Sequence, residues 1–163
     1  MRVPFFVSAA VAVTVGVQVS LVAQMPPSIA ERVRGAERVV VGSVTDVSAS
    51  FTSNEHGDQL IVSQVTLQVE ESLKGEPTAL LVVDVEGGTV GDLTLQVSSL
   101  PRMTPGERAV FFVTTNKKGK VVPHLRGHGI LKLDPQDRVK GSSLDLATIR
   151  EAAASASGRK GRP

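Results

Sequence analysis

The 163-residue chain contains no cysteine, no tryptophan and no tyrosine, and each absence removes a class of function. Without a thiol there can be no disulfide, no thiolate metal site, no thiol nucleophile and no lipid-modified cysteine anchor. Stability must come from apolar burial and the hydrogen-bond ladder. Past residue 23 the only aromatic side chains are Phe51, Phe111 and Phe112. Single-stranded nucleic acids are gripped by stacking bases on aromatic rings, and sugars are commonly held by ring stacking as well. Neither mode has a platform here.

Positive charge is also scarcer than the pI near 9.2 suggests. Of 18 Lys and Arg, Arg2 lies at the amino end and Arg159, Lys160 and Arg162 at the carboxyl end. The 14 that remain face all 16 acidic residues, a balance of −2. A nucleic-acid module concentrates basic residues on one face or groove, so no nucleic-acid partner is expected. Familiar catalytic signatures are missing too. Neither Gly-x-Ser-x-Gly nor His-Glu-x-x-His occurs. Gly87-Gly88 and Gly127-x-Gly129 lack the following helix that a phosphate cradle needs.

What is present begins with an apolar run from Phe5 to Ala23 behind Met1-Arg2, closed by Met25-Pro26-Pro27. A cationic start, an apolar middle and a small residue at Ala23 read as a secretory signal peptide over residues 1–23. The run also approaches the ~20 residues that span a bilayer, so a retained anchor is the competing reading. Either way the remainder is expected outside the cytoplasmic membrane, secreted or periplasmic, with membrane contact only if the segment is retained.

Residues 24–36 form a leading segment in which Ser28 and Glu31 fit a capping box for a short helix ending near Gly35. Val39 to Val47 is rich in β-branched residues and reads as a strand, with Gly42 marking a bulge. Ile61, Ser63, Val65, Leu67 and Val69 alternate with mainly polar residues, the pattern of an antiparallel sheet with one wet face. Leu80–Glu86, Leu93–Val97 and Ala109–Val113 supply further strands, the last apolar on both sides. Asn116-Lys117-Lys118-Gly119 reads as a hairpin turn. From His124 to Asp134 the residues sort by parity into another strand. Ser142, with Asp145 three residues on, is expected to cap a helix bearing Leu146, Ile149 and Ala153, followed by a disordered basic tail over 154–163. The expected fold is mainly β, over 37–153: about five to seven short strands in a small coiled antiparallel barrel, with a C-terminal helix. Periodicity alone fits a sandwich equally well.

Val39-Val40-Val41-Gly42-Ser43-Val44-Thr45, followed by Val65 through Glu70-Glu71-Ser72-Leu73-Lys74-Gly75, resembles the front half of tissue-inhibitor-of-metalloproteinase and netrin-like modules. The order Gly87-Gly88, Pro101-Arg102-Met103, Gly106-Glu107 and Phe111-Phe112 is similar to that of poorly characterised exported bacterial domains. The resemblance covers roughly residues 36–134 and implies an OB-like five-stranded barrel. It carries no activity across, because those inhibitors clamp zinc through an N-terminal cysteine that this chain lacks.

His124 and His128 form the closest histidine pair. On a strand a spacing of four separates them by about 13 Å, too far to share one metal. The row His124, Arg126, His128 and Lys132 would then present cations outward and suit an acidic partner. Glu70-Glu71 and the Asp84/Glu86 grouping are read as solvated-face charges. The expected function is an exported, non-enzymatic binding or accessory module without cofactor or metal. It would engage another envelope or extracellular protein through a barrel rim, an edge strand, or the loops at 50–59 and 98–107, with His124, Arg126 and His128 as binding residues. The alternative is a small metal-dependent hydrolase using His56, His124 or His128.

Overall fold

The structure, a computed structural model, describes residues 26–53 and 57–158. The proposed leader over 1–23, His56 and the end of the basic tail lie outside these residues.

Helix α1 (Ile29–Gly35) opens with the expected box: the Ser28 side chain accepts from the Glu31 amide, and the Glu31 carboxylate accepts from the Ser28 amide at 2.8 Å. Strand β1 (Arg38–Ser53) follows, then β2 (Gln59–Lys74) and β3 (Leu80–Glu86) in an antiparallel meander. β6 (Arg108–Thr115) pairs on the other side of β1, and it carries both β7 (Val121–Pro123) and β8 (Ile130–Lys132). The resulting order is β3-β2-β1-β6-β7. A separate two-stranded hairpin, β4 (Gly88–Val90) with β5 (Leu93–Leu95), leaves the end of β3. Helix α2 (Leu146–Gly158) closes the described chain. No helix among the described residues is long and apolar enough to cross a membrane.

The first half of β1, over Val39–Val44, and β6 are buried on both faces and divide the core. On one face Val40, Val44, Phe111 and Val113 meet Val65, Leu67 and Val83 of the curled sheet. On the other, Val39, Val41, Val110 and Phe112 pack beneath α1 and α2 against Val33, Leu146 and Ile149. The register of β1 on β2 slips between Val41 and Gly42, the bulge expected there, and again between Val44 and Asp46. Each slip adds local twist. The curl brings β3 towards β7, yet no ladder joins them. The sheet is antiparallel and strongly coiled, but it is not closed into a barrel.

Several expectations are corrected. β1 and β2 are long rather than short, because Ser48–Ser53 pairs with Gln59–Gln64 through backbone groups indifferent to polarity. Of the expected 50–59 loop, residues 50–53 and Gln59 are therefore strand. The fourth strand stops at Leu95 and pairs with β4 outside the main sheet. The His124–Asp134 strand does not form as a whole: Leu125 and Arg126 take left-handed φ of 57° and 52°, Arg126–Gly129 makes one 3-10 turn, and pairing is confined to Ile130–Lys132 and a lone bridge from Leu133 to Val139. The cap of α2 is Asp145, whose carboxylate accepts from the Thr148 amide at 2.8 Å. Ser142 instead accepts from the Leu144 amide, and the helix continues through Ala154–Gly158, where a disordered tail was expected.

Candidate functional site

Two concave regions among the described residues bear on function. The first is a groove bordered by Pro26, Pro27, Glu31, His124, Leu125, Arg126 and His128. It gathers the three residues singled out as a binding row, but not by strand parity. The turn at Arg126–Gly129 folds them together, so the 13 Å separation argued for a strand no longer applies. Lys132 does not join them. Its ammonium donates to the Glu107 carboxylate at 2.7 and 2.8 Å and to the Arg102 carbonyl at 2.5 Å.

Each groove residue has a structural task. The His124 imidazole lies over Gly35, where an added Cβ would fall 2.2 Å from Nε2. Burial lowers its pKa, and the nearby Lys74 ammonium lowers it further. Arg126 pairs with Glu86 at the end of β3 and spans the open seam between β3 and the turn. The His128 carbonyl accepts from Arg32 Nη1 at 2.9 Å, while Arg32 Nε donates to the Pro27 carbonyl at 3.0 Å. Arg32 is almost fully buried and, among the described residues, has no carboxylate partner; that burial lowers its pKa. Its guanidinium holds the wall of the groove together.

The carboxylate groupings are ion-paired rather than simply solvated. Glu70 accepts from Ser43 Oγ at 2.5 Å and Arg108 Nε at 2.6 Å. Glu71 accepts from Arg150 at 2.7 and 3.0 Å. Burial opposes ionisation of Glu70, but the Ser43 and Arg108 hydrogen bonds outweigh it and hold the pKa below the ordinary value. Among the described residues no three His, Asp or Glu side chains gather as a metal site.

The second region is a cavity of about 360 Å³ between the inner face of the sheet and the β4–β5 hairpin. Val47, Val65 and Val85 form its floor, and Leu100 and Met103 of the 98–107 loop form one wall. The hairpin pivots on Gly87-Gly88, whose positive φ of 103° and 136° suits glycine. A Cβ on Gly88 would fall 2.4 Å from Ser63 Oγ, so the hairpin base presses directly on β2. Ser63 Oγ donates to the Gly87 carbonyl at 2.7 Å, which satisfies a buried hydroxyl. Nothing in the sequence pattern marked this cavity, since its wall comes from a loop and its roof from a hairpin outside the main sheet.

No protein-family model matches the chain, and no curated protein matches it.

Proposed function

We propose that the chain is an exported, non-enzymatic binding module that engages another envelope or extracellular protein along the edge of β3. One observation carries the reading. β3 is the terminal strand of its sheet, and its outward side chains Leu80 and Val82 are 58% and 45% exposed. Soluble proteins blunt such edges with lysine, proline or a covering element, because an unpaired strand is a template for another chain. Here Leu80–Glu86 contains neither residue, and the short β7 that the curl brings close makes no ladder with it. An extended segment added to that edge would gain ladder hydrogen bonds, with Leu80 and Val82 offering apolar side-chain contacts. The groove of His124, Arg126 and His128 adjoins the same edge through the Arg126–Glu86 pair and would receive acidic residues of the partner. On this reading the fold is OB-like, as the resemblance implies, but opened at the seam between β3 and β7 where the resemblance implies a barrel.

The test is site-specific photo-crosslinking in producing cells with the full-length chain. A photoreactive residue at Val82 should give one discrete protein adduct, weakened by L80K and absent when the probe stands at Glu151 on α2. Equal adduct patterns from the two positions, or none from Val82, would refute the proposal.

A further inference from the structure

The cavity beneath β4–β5 offers chemistry that the edge-strand reading does not use. Its floor and one wall are apolar, with Val47, Val65, Val85, Leu100 and Met103 and no aromatic ring, while Thr89, Thr94, Gln96 and Glu86 line the remainder; the Glu86 carboxylate is neutralised by Arg126. The one buried hydroxyl on its floor, Ser63, is committed to the Gly87 carbonyl. At the mouth the Thr89 and Thr94 hydroxyls bond each other at 2.9 Å. Arg102 stands beside Thr89, exposed, with no carboxylate within ion-pair distance among the described residues. The floor is therefore apolar, and with Glu86 engaged by Arg126 the charge left to meet a ligand at the opening is that of Arg102.

Size narrows the occupant. An apolar cavity of about 150 Å³ holds benzene, and small-molecule sites start near 300 Å³. At about 360 Å³ this cavity has room for a flexible chain of about eight to ten carbons. The rim is preorganised as well. Lys132 fixes the Arg102 carbonyl and the Glu107 carboxylate, and the Gly106 amide donates to the Val44 carbonyl at 2.8 Å. The loop that presents Arg102 is thus tied to β1 and β8.

We propose that this cavity binds a medium-chain carboxylate, its tail between sheet and hairpin and its head at Arg102. The test is an amide-shift titration of the full-length protein with hexanoate, octanoate, decanoate and decanol below micelle formation. Saturable shifts are expected at Ser63, Val85, Thr89, Leu100 and Met103 and not at Leu146 or Ile149. Affinity should rise about fourfold per methylene, the equivalent of ~0.8 kcal/mol per buried CH₂. R102Q should weaken decanoate by about two- to fivefold, the worth of an exposed ion pair, and leave decanol unchanged. A49L, which narrows the cavity, should abolish binding of both. If A49L does not fold, the native shift map and R102Q still decide. Absence of saturable shifts at millimolar ligand, equal shifts on α2, or R102Q binding both ligands like the parent would overturn the proposal.

Discussion

Replacing Gly127 with alanine tests the packing that shapes both concave regions. A Cβ built on Gly127 falls 1.2 Å from the Ser99 carbonyl oxygen and 2.3 Å from its carbon. An ordinary C···O contact is about 3.3 Å, so one backbone must retreat by about 2 Å. Neither is free to do so cheaply. The His128 carbonyl beside Gly127 is held by Arg32, and Leu100, next to Ser99, packs against the inner core. Overpacking against backbone costs about 1–3 kcal/mol and occasionally more; this clash belongs at the upper end, about 3 kcal/mol. Urea denaturation should show that loss for G127A, with amide shifts moving from Val97 to Met103. The comparison is G158A, where nothing lies within 4 Å of the added Cβ; it should stay within about 0.5 kcal/mol of the parent. A G127A protein as stable as G158A, with unchanged shifts in the loop, would mean that the turn does not press on Ser99 and that the cavity wall is misplaced.

Three further outcomes follow from named contacts. R32M strands the Pro27 and His128 carbonyls and should cost about 2–4 kcal/mol in urea: two charge-assisted hydrogen bonds at ~1.5–3 kcal/mol each, less the desolvation cost of the buried cation that methionine removes; a change below about 0.5 kcal/mol would contradict the contacts. Burial and then Lys74 depress the pKa of His124, so the stability linked to its neutral form is present above the ordinary histidine value and lost as pH falls through the folded one. Melting temperature should therefore drop on acidification below about pH 6.5, and H124Q should remove part of that drop. Burial raises the pKa of Glu107, but Lys132 and Thr104 outweigh it and lower the value overall. Its contribution is present above the unfolded carboxylate value of about 4.3 and lost as pH falls below it; E107Q should flatten the acid limb of a stability profile.

The sequence was most legible where a local rule and the tertiary fold agree. The Ser28–Glu31 box, the alternation from Ile61 to Val69 and the two-faced apolarity of Ala109–Val113 each state their structure within a few residues. The segment from Leu125 to Leu133 shows the opposite case. Its apolar and glycine residues fall on alternate positions, which imitates a strand. The glycines answer to distant partners instead: Gly127 to the Ser99 carbonyl, and Gly129 to the His124 and Phe112 carbonyls. A left-handed Leu125 and Arg126 could not be read from residue type, since neither favours that region. The grouping of His124, Arg126 and His128 was thus expected for the wrong geometric reason. Arg32 was missed altogether, because an arginine in a short capped helix reads as a solvent-facing residue.

The cavity and the free edge of β3 trace to one asymmetry in how the sheet is covered. The face bearing Val39, Val41, Val110 and Phe112 is sealed by two helices that insert Val33, Leu146 and Ile149. The opposite face is sealed by its own curl as far as Val83, and beyond that only by two three-residue strands and a loop. The hairpin touches the sheet at its glycine pivot, against Ser63 and Ala49, while Leu93 near its tip is 62% exposed. A cover held at one end cannot follow the twist of a sheet whose neighbouring strands rotate by about 20–25°, so an apolar space remains over Val47, Val65 and Val85. The other end of the curl stops short of β7, which leaves β3 unpaired and lets Arg126 reach Glu86 across the gap. Closing the barrel would remove the free edge, and lengthening β4–β5 would fill the cavity. Both candidate binding regions exist because the fold stops short of each.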